Sequence, residues 1–255
     1  MSEIIRNPWT RLRNFTSARL ALGRAGDSLP TSEVLAFSLA HAQARDAVHN
    51  ALDVESVAKN LAAAGFESIM VQSAARDRAE YLRRPDLGRR LNDQSRSRLN
   101  SERSAERAVE EPAASTVFII ADGLSAIAPE RHAVPILREI TSKLENWTIA
   151  PIIIATQARV GLGDEIGELL GAEMTVMLIG ERPGLSSPDS LGMYLTYNPR
   201  IGCTDADRNC ISNVRPEGLS YDAAAHKLHH LMLAARSTGQ SGVTLKDESD
   251  QPALP

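Results

Sequence analysis

From Thr116 onward the chain alternates between short apolar runs and longer amphipathic stretches, a pattern that few architectures accept. The runs at Thr116–Ala121, Thr148–Ala155 and Met174–Ile179 are rich in Ile, Val and Met. Each is too continuous for a strand with one wet face and too short for a helix, so each predicts a strand buried on both sides. Glu130–Leu144 and Asp164–Leu170 carry apolar residues at helical spacing between the runs, and Tyr221–Arg236 repeats that pattern near the end. Strands separated by helices pair in parallel, because the crossover returns the chain to the same end of the sheet. Two further strands are expected at Ser68–Gln72 and Asn209–Val214. The fold class is therefore read as α/β, a Rossmann-like, mostly parallel sheet flanked by helices, with a helical N-terminal region and arm.

Ahead of the sheet, Arg6, Arg11, Arg13, Arg19 and Arg24 stand against Glu3 and Asp27, with Pro8, Trp9 and Phe15 as anchors. This composition suits an arm laid on a partner rather than a core element. Thr31 can cap a helix over Ser32–Val48, and a second helix over Val54–Ala64 closes at Gly65. Between Arg76 and Arg107 ten arginines accompany six acids, so the helix expected over Leu87–Ala108 is read as a solvated face. The organisation expected is an N-terminal arm and helices over 1–67, an α/β domain over 68–246, and a disordered tail over 247–255.

Composition excludes several functions. A net charge of -4 with 4% aromatic residues gives neither the basic stripe nor the stacking platform of a nucleic-acid binder. Only four of the 28 basic residues are lysines, a bias toward arginine that suits bidentate contacts across an interface, or that codon usage explains. Two cysteines and no secretory leader point to free thiols in the cytoplasm. The longest apolar stretch, near Ile149–Ala155, is far too short to span a bilayer.

Three motifs invite a chemistry that their details refuse. Gly161-Leu-Gly-Asp-Glu-Ile-Gly167 follows a strand and opens a helix, yet its spacing is G-x-G-x-x-x-G, and Asp164 and Glu165 stand where a pyrophosphate would sit. His226, His229 and His230 share a helix, but the Glu of H-E-x-x-H is absent and Lys227 adjoins them, so they are read as surface and interface histidines. Cys203 and Cys210 lack the C-x-x-C spacing of a metal or redox site. No metal site and no catalytic residue can be assigned.

The stretch from Gly180 to Tyr221 is different, setting backbone-restricting and polar residues into an apolar frame that reads as a binding surface. Pro183-Gly184 suits the two central positions of a type II turn, and Ser187-Pro188 suits the opening of a short helix. GERPGLSSPDSL and TDADRNCISNVRPEGLSY within it, with GRAGDSLPT, PDLGRRL and ADGLSA upstream, closely resemble the small (light) subunits of ethanolamine ammonia-lyases. The resemblance runs from about Thr16 to Lys246.

That resemblance implies a large (β/α)8-barrel partner subunit, adenosylcobalamin held between the two chains, and a higher-order hetero-oligomer. It implies that the enzyme converts ethanolamine to acetaldehyde and ammonia by a radical route. Ethanolamine and the catalytic residues would lie mainly on the partner. In cells of this family the enzyme is cytoplasmic or enclosed in a bacterial microcompartment. Cobalamin contacts in the family match Val160, Glu181 and Cys210, and Arg159 is added because it adjoins Val160. Geometry gives independent support, since Arg159, Val160 and Glu181 each follow the carboxyl end of an expected parallel strand, where open α/β sheets bind ligands. The residue types also suit a corrin, whose periphery of neutral amides asks for van der Waals cover and single hydrogen bonds. The cofactor should bind base-on. No histidine sits in the D-x-H-x-x-G loop of base-off domains, and where His132 comes nearest, Pro135 takes the place of the glycine. Without the resemblance, a stand-alone α/β enzyme for a small phosphate-bearing ligand, or a purely structural subunit, fits the same residues.

Overall fold

The computed structural model describes residues 7–16, 18–108 and 116–249, apart from the side chains of 103–108. Its centre is a six-stranded sheet of order β1-β3-β2-β4-β5-β6. The strands are β1 (Ser68–Gln72), β2 (Thr116–Ala121), β3 (Ile152–Thr156), β4 (Met174–Gly180), β5 (Leu191–Tyr197) and β6 (Arg208–Val214). β1 to β4 pair in parallel, and β5 and β6 add on as antiparallel strands. The helices are α1 (Thr31–His49), α2 (Val54–Ala63), α3 (Arg78–Arg83), α4 (Asp93–Ala108), α5 (Ile127–Thr141), α6 (Leu162–Leu170) and α7 (Tyr221–Thr238).

β2 and β4 are buried along their whole lengths, as the continuous apolar runs require. Successive side chains of a strand point to opposite faces, so Phe118 and Ile120 join one core while Val117, Ile119 and Ala121 join the other. α2, α5 and α7 cover the first face through Leu61, Ile136 and Leu228; α4 and α6 cover the second through Leu99 and Ile166. α2 thus completes the sheet's core although the expected boundary at residue 67 placed it with the arm.

Four local expectations are corrected. Leu87–Ala108 is not one solvated helix: it splits into a 3-10 turn at Leu87–Arg89 and α4, and Leu91 and Leu99 are buried against the sheet. β3 begins at Ile152 rather than Thr148, because Pro151 has no N–H for the ladder. No helix opens at Pro188. The segment from Ser187 to Ser190 is a turn, and the chain then runs extended as β5, whose Tyr194, Thr196 and Tyr197 favour a strand and whose Gly192 disfavours a helix. Gly184 is not in the positive-φ region a type II turn needs, and it pairs instead with Ser187 in a two-residue hairpin around Leu185 and Ser186.

α1 buries only Ala47 and exposes Val34, Leu35, Phe37 and Leu39. Arg13 of the arm pairs with Glu33 at 2.8 Å, while Trp9 and Phe15 are exposed. Of the tail, Asp247 pairs with Lys227 at 3.2 Å, and residues 250–255 lie outside the described residues. Among the described residues no helix is long and apolar enough to cross a membrane.

Candidate functional site

The carboxyl ends of β2, β3 and β4 open onto a groove with two lobes. The first, about 450 Å³, is lined by Tyr81, Leu124, Val160, Ile179, Glu181 and Tyr194 among others. The second, about 410 Å³, runs toward the start of β6 past Arg89, Thr204 and Arg208. Arg159, Val160 and Tyr194 belong to both lobes and form the ridge between them.

The floor of the groove is built by close backbone approach. Gly123, just past β2, has φ +53° and lies so near the Gly180 carbonyl that a Cβ would collide with it. Beside it, Asp122 is buried and organises the loop after β3. Its Oδ2 accepts from Gln157 N–H at 2.8 Å and from Arg78 Nη1 at 3.0 Å, and its Oδ1 accepts from Ala158 N–H at 2.9 Å. Burial pushes the Asp122 carboxyl up from the usual range, and Arg78 and the backbone amides oppose this. Since these neighbours of its two oxygens are donors, the carboxylate form is the one the site holds.

Tyr81 reaches the same loop from α3, its hydroxyl between the carbonyls of Gly123 (2.8 Å) and Ala158 (2.9 Å). The guanidiniums of Arg78 and Arg159 lie over its ring, 4.8 and 4.4 Å from the centroid. Arg159 is fixed at its backbone too, donating N–H to the Gly88 carbonyl at 2.8 Å. Gly88 is required by space, because a Cβ there would press on both Tyr81 and Arg159 at 2.9 Å. Arg159 and Val160 are therefore presented by a loop bolted to α3, β2 and the Leu87–Arg89 turn.

Glu181, just beyond β4, lies across the starts and ends of its neighbours. Its Oε2 accepts from the Ser190 hydroxyl and from Asn213 N–H at 3.1 Å, and its Oε1 accepts from the Ser212 hydroxyl at 2.5 Å. With two lone pairs per oxygen, this leaves one acceptor position, on Oε1. Cys210 stands opposite Tyr194 in the β5–β6 register, and the Tyr194 hydroxyl is its hydrogen-bond partner. Burial pushes the Cys210 thiol up and outweighs that hydrogen bond, so the sulfur stays protonated at neutral pH. Asp164 and Glu165 do not merely face the dipole of α6. Asp164, pushed up to about 6 by burial, bonds Arg208, and Glu165 accepts from Arg96 and from Leu91 N–H at 2.8 Å.

Arg159, Val160 and Glu181 thus line one groove, and Cys210 adjoins it through Tyr194. Sequence reasoning missed Tyr81, Asp122 and Tyr194. Asp122 and Gly88 sit in the motifs ADGLSA and PDLGRRL already singled out, and Tyr194 sits in a strand the sequence reading did not expect.

The family model for the ethanolamine ammonia-lyase light chain matches residues 6–246. The chain belongs to that family. It is 55% identical to the ethanolamine ammonia-lyase small subunit of Azotobacter vinelandii over 99% of its own length and 93% of the relative's. It is 56% identical to the small subunit of Pseudomonas syringae pv. tomato, over 97% and 86% of the two chains. The Pseudomonas putida KT2440 small subunit is 54% identical over 97% and 90%. The ridge and both lobes of the groove fall inside the matched span.

Proposed function

We propose that this chain is the small subunit of an adenosylcobalamin-dependent ethanolamine ammonia-lyase, and that its groove covers one side of the cofactor against a large (β/α)8-barrel subunit. The observation that carries the reading is the gathering of Arg159, Val160 and Glu181, with Cys210 alongside, at the carboxyl ends of the parallel strands. The lining fits a corrinoid. Val160, Leu124 and Ile179 offer apolar cover, the spare position on Glu181 Oε1 can accept from one side-chain amide, and Cys210 presents a neutral, polarizable sulfur. Each lobe is open to solvent and smaller than the cofactor, which supports a second wall supplied by the partner.

When bound, the cofactor supplies the radical chemistry that converts ethanolamine to acetaldehyde and ammonia. This chain's part is to orient the cofactor base-on and keep water from the reacting region, while the partner holds ethanolamine and the catalytic residues. The exposed apolar side of α1 and the arm support an obligate partner, since a helix of 19 residues that buries only Ala47 gains little from its own core. Assembly would build a higher-order hetero-oligomer in the cytoplasm or inside a bacterial microcompartment. The test is ethanolamine deamination by each chain alone and by the two together with adenosylcobalamin. Activity is expected only from the pair, and full activity from either chain alone would overturn the reading.

A further inference from the structure

Three arginines stand around the second lobe of the groove, and among the described residues only one of them meets a carboxylate. Arg208 donates Nη2 to Asp164 and Nη1 to Asp205 at 3.2 Å, so the lobe's acids are spent on it. Among the described residues, Arg159 and Arg89 make no ion pair and the buried Nε of Arg159 has no hydrogen-bond partner. Both are nevertheless held in place. Arg159 is stacked on Tyr81 and anchored to Gly88, and the side-chain carbons of Arg89 lie over Gly161, 3.5 to 3.7 Å from where a Cβ would stand.

A fixed guanidinium whose buried N–H finds no acceptor among the described residues is suited to an anionic ligand. Cobalamin carries one such anion away from its metal centre: the phosphodiester of the nucleotide loop, the rest of the periphery being neutral amides. We propose, resting on the cofactor reading above, that Arg159 with Arg89 beside it binds this phosphodiester in the second lobe. Arg159 then separates two duties of one groove. Glu181 meets an amide of the corrin edge in the first lobe, and the arginines fix the tail in the second. A planar fork of donors matches two phosphate oxygens, which a lysine's point charge does not reproduce.

The experiment compares two corrinoids on the assembled two-chain enzyme. Cyanocobalamin carries the nucleotide loop and dicyanocobinamide lacks it along with the phosphate. Binding is measured by equilibrium dialysis for the wild type, Arg159→Gln, Arg159→Lys and Arg89→Gln. Loss of a charged hydrogen-bond partner predicts cyanocobalamin affinity about 10- to 100-fold lower in Arg159→Gln, partly restored in Arg159→Lys, with dicyanocobinamide affinity unchanged. Arg89→Gln should show the same selectivity at smaller size, and carries the comparison if Arg159→Gln fails to assemble. Equal losses for both corrinoids would overturn the proposal and mean that the arginines serve the partner's surface or the fold. Wild-type enzyme that binds neither corrinoid would instead sink the cofactor reading itself.

Discussion

Replacing Asp122 with Asn tests how the groove is held open. The carboxylate serves three donors through two oxygens: Gln157 N–H and Arg78 on Oδ2, and Ala158 N–H on Oδ1. An asparagine has one oxygen. If it takes the Oδ2 position it keeps two of the three partners, and its NH2 then faces the Ala158 amide, donor against donor. The opposite orientation abandons two partners, one of them the nearly buried Arg78, so the first orientation wins. The Ala158 amide therefore loses a hydrogen bond to a charged acceptor, worth about 1.5 to 3 kcal/mol, which raises its opening by about 10- to 150-fold. Gln157 should change less. The assay is amide hydrogen exchange of the assembled enzyme with peptide or residue resolution across 155–161, wild type against Asp122→Asn. Because Arg159 and Val160 ride on that loop, cobalamin affinity should fall in the same variant. Unchanged protection at Ala158, or a larger loss at Gln157, would show that Asp122 does not hold the loop through Ala158.

Other outcomes follow from the same geometry. In Glu181→Gln the new NH2 can donate to Ser212 while the oxygen keeps Asn213 and Ser190, so the fold survives and the spare acceptor is lost; cobalamin affinity should fall by about 1 to 2 kcal/mol. Unaltered affinity in a properly assembled complex would remove Glu181 from the site. His132 is kept neutral: burial depresses its pKa, the Tyr221 hydroxyl sits 2.8 Å from Nδ1, and Asp189, already engaged by Arg131, is 3.5 Å from Nε2. Its contribution is full above the unfolded-state value of about 6.5 and is lost as pH falls through the depressed folded value. The thermal midpoint should thus drop more steeply below about pH 6.5 for wild type than for His132→Gln, and parallel curves would refute this. Leu35→Asp combined with Leu39→Asp on α1 should abolish co-purification of the large subunit while leaving exchange protection of β2 and β4 intact. Retained assembly would show that α1 faces solvent.

The inner parallel strands were legible because burial on both faces writes itself as uninterrupted Ile, Val and Met, and Thr116–Ala121 came out residue for residue; Ser68–Gln72 did so too, although as an edge strand it leaves Met70 exposed. The antiparallel β5 was hidden by its neighbours. Ser187-Pro188 is chemically a good helix start, and only the tertiary demand of Arg131 and Arg215 on Asp189, with Ser125 reaching the Pro188 carbonyl, holds that segment as a turn. In the groove, the resemblance named Val160 and Glu181, and the expected strand ends already put them with Arg159 at one crevice. Their support was illegible, since Tyr81 and Asp122 act from 78 and 37 residues before Arg159 in the chain and meet it only through the fold. Likewise Leu87–Ala108 looked solvated because six arginines drowned the signal of Leu91 and Leu99.

On the proposed function, Val160 forms a wall of a cobalamin site that is complete only when two chains meet. Its most direct test is the visible absorption of bound cyanocobalamin after gel filtration of this chain, the large subunit, the pair, and the pair carrying Val160→Trp. Stoichiometric cobalamin is expected on the wild-type pair, none on either chain alone, and a strong loss when the tryptophan fills the ridge between the lobes of an otherwise assembled enzyme. Full cobalamin on the large subunit alone, or on the Val160→Trp pair, would contradict it.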